Sequence, residues 1–437
     1  MLPATPGCQR QPGNQGTPSV ISDSFAPPAI ALARGDETTM SAVRFLEDRV
    51  KSDPDDIVAL NKLSGYYLQL HRETDEPAYL ELALHAAQAS LRVVPADQNL
   101  SGLRALAQAE LETHDFVSAR QHARDLTEYE PQRSFGFQLL GDALMELGDY
   151  DGAARNYERM EQLDADSIAT QARLANFDLL HGNTASARKR YQAALNQARA
   201  SSMVSSEITA WCHWRLGEVE MATGQYQRAE FHFRNALATV KDYSHALASL
   251  ARLRAARGDL PGAIEMLETV AGGHSDPADA AALGDLYQLA GRASDAEQQY
   301  SVVERLSQQS KLHSALYHRH LALFWADHDR NLDKAYELAR KEYETRRDIY
   351  GADVLAWAAF KAGKIQEAET TIKEALRLGT QDARLFYHAG MIARAAGDQT
   401  NATDFLRRAI KLNPHFDPRE SVNAARALKE ITMIATR

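Results

Sequence analysis

Between residues 134 and 167, small, large apolar and polar positions follow an order that recurs along most of the chain with a 34-residue period. The clearest copies are SFGFQLLGDALMELGDYDGAARNYERMEQLDADS (134–167), AWCHWRLGEVEMATGQYQRAEFHFRNALATVKDY (210–243), PADAAALGDLYQLAGRASDAEQQYSVVERLSQQS (277–310) and ARLFYHAGMIARAAGDQTNATDFLRRAIKLNPHF (383–416). Each has glycine at its eighth position (Gly141, Gly217, Gly284, Gly390) and alanine twelve residues later (Ala153, Ala229, Ala296, Ala402). Two antiparallel helices approach closely only where neither side chain intrudes, so this pairing predicts a helix-turn-helix unit. Large residues take the complementary places: Tyr157, Phe233, Tyr300 and Leu406 four residues after the alanine, and Leu140, Leu216 and Leu283 just before the glycine. A second glycine at the fifteenth position (Gly148, Gly182, Gly224, Gly258, Gly291, Gly363, Gly397) predicts the end of the first helix, where a left-handed residue is needed. Proline near repeat ends (Pro54, Pro95, Pro131, Pro414) marks the step to the next unit.

Weaker copies fill the gaps, giving expected repeats at 58–99, 100–133, 134–167, 168–209, 210–243, 244–276, 277–314, 315–348, 349–382 and 383–416. Insertions near His71–Pro77, Asn196–Glu207 and Asp327–Asn331 lengthen individual turns. Residues 41–57 have the spacing of a lone capping helix, and 417–437 that of another, with Val422, Ala425, Leu428 and Ile431 expected on its apolar face. Caps are what an open stack of repeats requires. Residues 1–40, rich in Pro, Gly and Gln without hydrophobic period, read as a disordered leader.

This pattern resembles the tetratricopeptide repeat family. The resemblance covers about nine tenths of the chain. It implies an all-α, right-handed superhelical solenoid of about ten repeats, with the first helix of each lining a concave groove. Carried over position by position, the groove residues are Lys62, Tyr66, Arg104, Gln108, Gln138, Asp142, Asn176, Trp211, Trp214, Glu218, Arg252, Tyr317, Arg319, Asp353, Trp357, Phe360, Tyr387, Met391 and Arg394, with Asp285, Tyr350 and Arg384 at equivalent places. Aromatic, Arg and Met side chains dominate binding energy at interfaces. Aromatics concentrate from Trp211 onward, so the main contact surface is expected there; the competing reading packs those tryptophans between repeats. Some members of the family hold a chaperone's terminal carboxylate with a clamp of Lys, Asn and Arg. Lys62 fits its first position, but Tyr66, Ser101, Ala105 and Phe135 stand where Asn or a basic residue is needed, so the clamp is missing.

Charge narrows the field. A formal net charge of −10 argues against nucleic acid, whose phosphates need clustered Lys and Arg. No apolar run reaches the roughly 18–20 residues of a membrane span. Cys8 and Cys212 have no second cysteine nearby, which excludes a disulfide framework; Gly7-Cys8 looks like part of a lipoprotein junction without its preceding apolar stretch. The compartment is therefore expected to be cytoplasmic, with export or a lipid anchor at Cys8 as the alternative. His313, His318, His320 and His328 crowd one segment without metal-ligand spacing. No GxxxxGK[ST], HExxH or GxSxG motif occurs. The expectation is a non-enzymatic scaffold or adaptor with no cofactor and no metal, binding a partner peptide or helix during complex assembly. The alternative is a structural protein that assembles with itself.

Overall fold

The computed structural model describes residues 37–201, 204–273 and 276–435, and among these every regular element is helical. A lone helix α1 (Glu37–Ser52) precedes ten antiparallel pairs: α2 (Ile57–Thr74) with α3 (Ala78–Val93), α4 (Leu100–Glu112) with α5 (Phe116–Tyr129), α6 (Ser134–Glu146) with α7 (Tyr150–Asp164), α8 (Ile168–Leu180) with α9 (Thr184–Ala200) and α10 (Ser206–Ala222) with α11 (Tyr226–Thr239). The series continues with α12 (Ser244–Ala256) and α13 (Leu260–Gly273), α14 (Pro277–Leu289) and α15 (Ala293–Ser307), α16 (Lys311–Asp327) and α17 (Leu332–Thr345), α18 (Ile349–Lys361) and α19 (Ile365–Leu376), and α20 (Ala383–Ala395) and α21 (Gln399–Leu412). A final helix, α22 (Glu420–Ala435), closes the stack.

Local chemistry sets these limits. Asp56, Asn99, Asp115, Asp149, Asp348 and Asp382 each accept a backbone N–H from the first turn of the helix they precede, satisfying donors that have no partner inside it. At the turn inside the third repeat, Gly148 has φ +78°, a conformation that costs an L side chain about 1–2 kcal/mol. His114 and Asp329 occupy the same place in repeats without that glycine and also take positive φ, which Asp and His tolerate better than most residues. The small-residue positions are contact points: a Cβ on Gly217 would lie 2.3 Å from the Phe233 ring, and one on Gly141 2.4 Å from Tyr157.

Capping faces differ in detail from the spacing. On α22 Glu420, Ser421, Ala424, Ala427 and Ile431 are buried, while Val422 is 55% exposed and Ala425 is exposed. The helix is rotated so that its alanines, not Val422, meet the preceding pair, since small side chains allow the close approach. Cys8 lies outside the described residues.

The stack coils back on itself. Arg346 Nε pairs with Glu146 at 2.6 Å, and the Tyr150 hydroxyl accepts the Ile349 N–H at 2.8 Å. Arg377 donates to Gly148 O at 3.0 Å, Thr380 to Leu180 O, and Asn413 to Met221 O at 3.0 Å. Nearer the N-terminus, Ser244 donates to Asp75 at 3.0 Å and His114 Nδ1 lies 3.4 Å from Ala315 O. The middle of the third repeat thus meets the junction of the eighth and ninth, so one superhelical turn takes about five and a half repeats. The turns inside early repeats rest on the helix starts of late ones, along a continuous seam.

Candidate functional site

First helices supply most of the side chains facing the superhelix axis, and these meet in two cavities. One, of about 620 Å³, lies between successive turns; Asp142, Arg173, Asn176, Trp211 and Arg215 line it from the first turn, and Arg319, Arg346, Asp348 and Tyr350 from the second. The other, of about 410 Å³, is lined by Glu218, Arg252, Asp285, His320, Asp327, Asp382, Arg384 and Asp417 among others.

Charge inside this lumen is largely matched. Asp142 receives Arg173 Nε at 2.8 Å and the Tyr157 hydroxyl at 2.8 Å. Burial opposes ionisation of Glu218, yet Arg252, 2.9 Å away, and Ser249, 2.7 Å away, outweigh it and hold the carboxyl below its usual range. Arg319 is shared by Asp348 and Glu342. Arg215 instead bonds neutral acceptors, Asn176 Oδ1 at 2.6 Å and the Tyr191 hydroxyl at 2.8 Å, with its guanidinium over the Tyr191 and Trp214 rings. Tyr350 is 39% exposed, and burial among the surrounding helices together with the nearby Asp382 raises its phenol pKa. Burial and Glu420 push Asp417 up to about 6.

Beside the second cavity, a buried network joins four helices. Trp357 Nε1 donates to Asp327 at 2.7 Å and its ring stacks on His388 at 4.1 Å; His388 Nδ1 lies 2.9 Å from Asp353. Burial alone would depress His388, but Asp353 and Glu420 outweigh it and push the imidazole up to about 10. Ligand-type atoms of Asp327, His388 and Glu420 lie within 4.8 Å of one another, a spacing that could hold a cation, and the Arg384 guanidinium already bridges the two carboxylates.

The groove residues expected from the repeat pattern therefore divide. Asp142, Asn176, Trp211, Glu218, Arg252, Arg319, Asp285, Tyr350 and Arg384 line the cavities. Lys62 is exposed, Gln138 is half-buried, and Tyr66 and Tyr317 are half-buried against the core of the first repeat. Arg104 pairs with Glu130, Gln108 bonds Glu112 at 2.9 Å and Arg394 pairs with Glu430 at 2.7 Å. Trp214 stacks on His245 at 4.7 Å and donates to Ser249 at 3.1 Å, so it joins repeats; Trp211 on the same helix meets Tyr191 of the preceding repeat edge-on at 6.1 Å and also lines the larger cavity.

Trp357, Asp353 and Tyr387 line neither cavity. They are buried, Trp357 to 3% exposure, with Phe360 and Met391 half-buried against the same core. Trp357, Phe360 and Tyr387 thus fill the space between repeats, because tight coiling brings neighbouring first helices into contact. The pattern missed Arg173, Arg215, Arg346, Asp348 and Asp417. Arg346, Asp348 and Asp417 sit at junctions between helices, where only the closing of the coil brings them to the lumen. Among the histidines, His320 lines the second cavity and His328 Nε2 is 2.8 Å from Asp285; the side chain of His313 lies outside the described residues.

Profiles of the tetratricopeptide repeat family match residues 166–242, 220–283 and 354–415. No curated protein matches the chain. Among solved structures, a tetratricopeptide repeat protein from Parabacteroides merdae ATCC 43184 is 18% identical over 61% of this chain and 98% of its own, with a TM-score of 0.35. PilW, a type IV pilus biogenesis factor, is 16% identical over 49% of this chain and 96% of its own, with a TM-score of 0.40. The human IFIT1 dimer with PPP-AAAA is 13% identical over 85% of this chain and 86% of its own, with a TM-score of 0.47. No helix among the described residues is long and apolar enough to cross a membrane. Repeats of this type serve protein–protein interaction, and with 22 helices among the described residues in the order the 34-residue period requires, the chain is a tetratricopeptide repeat protein.

Proposed function

We propose that this protein is a non-enzymatic scaffold whose lumen holds an extended segment of a partner protein during assembly of a larger complex. The carrying observation is the pair of cavities of about 620 and 410 Å³, lined by first-helix side chains of several repeats. Cavities of roughly 300–1,000 Å³ suit a drug-sized group or a few residues of extended chain. Arg215 and Trp211, with Tyr350 from the next turn, supply a cation and two rings, the side-chain types that anchor interfaces.

The test compares co-purification from the native host of the wild-type chain, an Arg215→Glu, Tyr350→Ala variant, and an outer-face control, Phe231→Ala. Loss of the same specific partners from the lumen variant alone is expected. Equal recovery by all three overturns the reading.

A further inference from the structure

We infer that the seam between superhelical turns is a gate whose parting admits ligand to the lumen from the side. The inference rests on the proposed role of the lumen and concerns its regulation. The larger cavity is walled by the seam itself: Glu146, Tyr150 and Leu180 line it on one side, and Arg346, Asp348 and Tyr350 on the other. Separating the turns and opening the cavity are therefore one movement.

The seam has the composition of a contact that can part. Helices a full turn apart do not pack along their lengths; the joins are the Arg346–Glu146 ion pair and single hydrogen bonds, from the Ile349 N–H to Tyr150, from Tyr226 to Asn413 and from side chains to turn carbonyls at Gly148, Leu180 and Met221. Rings contribute through cations: Arg346 lies 5.2 Å from the Phe116 centroid and Arg377 5.0 Å from that of Tyr150. Burial raises the pKa of Glu146 even with Arg346 beside it, so closure carries a desolvation penalty that offsets the ion pair. Apolar packing is fullest at one end, where Leu316 enters the core cluster of the first repeat; elsewhere it is limited to single residues, Ile349 beside Tyr150 and Tyr226 beside His415 at 6.1 Å. Contacts with few buried apolar groups lie at the low-stability end of a fold, and of the seam bonds that of Arg377 is exposed while those of Ile349 and Asn413 are buried. Parting would leave each repeat intact, since the cores run between consecutive helices.

The turn glycines allow a matched experiment. A Cβ on Gly148 would lie 2.3 Å from the Arg347 carbonyl oxygen, and one on Gly182 2.7 Å from the Gly379 oxygen, both across the seam. Gly291 and Gly363 have the same positive φ with nothing within 4 Å. Asn tolerates that conformation, so Gly148→Asn with Gly182→Asn wedges the seam, while Gly291→Asn with Gly363→Asn applies the same backbone strain elsewhere. In a Cys8→Ser background with Asn176→Cys as reporter, the rate of modification by a polyethylene-glycol maleimide is measured for each. The wedge pair is expected to react at least tenfold faster than the parent and to gain radius of gyration in X-ray scattering, with the control pair unchanged. Equal rates in both pairs, or a parent that already reacts like an exposed thiol, overturn the gate. On the unaltered chain, hydrogen exchange gives a second reading: the Ile349 amide, held by Tyr150, should exchange at least tenfold faster than the Ala352 and Leu355 amides inside α18. Exchange at the same rate as those amides refutes the gate. None of these readings needs a partner, so a sealed lumen and a lumen that binds nothing give different results.

Discussion

The Tyr150 hydroxyl accepts the Ile349 N–H at 2.8 Å across 199 residues of sequence, joining the third repeat to the start of the ninth. That N–H belongs to the first turn of α18 and has no partner within its own helix. Tyr150→Phe leaves it buried and unsatisfied, at about 1–3 kcal/mol. Urea unfolding should show that loss, while Tyr129→Phe at an exposed tyrosine should change stability little.

Gly217 and Phe233 offer a test of the repeat code. A Cβ at 217 would stand 2.3 Å from the ring, so Gly217→Ala should cost about 1–3 kcal/mol through overpacking. Adding Phe233→Leu should recover part of that loss. A double-mutant cycle on thermal unfolding measures the coupling, and strictly additive effects would break the proposed complementarity.

Trp357 separates packing from recognition. Its indole bonds Asp327 and stacks on His388 inside the core. Trp357→Ala should therefore destabilise by about 3–5 kcal/mol, as loss of a large buried ring does. Acrylamide should quench single-tryptophan variants retaining Trp211 more strongly than those retaining Trp357.

His388 predicts a pH dependence. Its imidazole is raised from 6.5 to about 10, so the folded state holds the proton more tightly than the unfolded chain. The resulting stability is fully present below pH 6.5 and is lost as pH rises towards 10. Denaturation midpoints across that window should fall for the wild type and fall less steeply for His388→Asn.

How much of this was legible in the sequence depends on distance along the chain. Gly141 with Tyr157 and Gly217 with Phe233 sit sixteen residues apart inside one repeat, and a period search reveals both. The Glu146–Arg346 pair is 200 residues apart and follows from the coiling angle, which small rotations at each repeat junction accumulate. No single motif encodes that angle. Trp357 occupies a groove-type position by register and is nevertheless buried, because tight coiling closes the space in front of it. Asp142, Glu218 and Arg252, at groove-type positions by register, line the cavities.

The central claim is that partners are held inside the coil. Its most direct test places a photo-crosslinking amino acid at Tyr350, inside the lumen, or at Phe231, 61% exposed on the second helix α11. Irradiation in the native host should join the same defined partner at position 350, with the product lost on adding Arg215→Glu, and little or none at 231. Crosslinking at 231 with none at 350 would contradict the account.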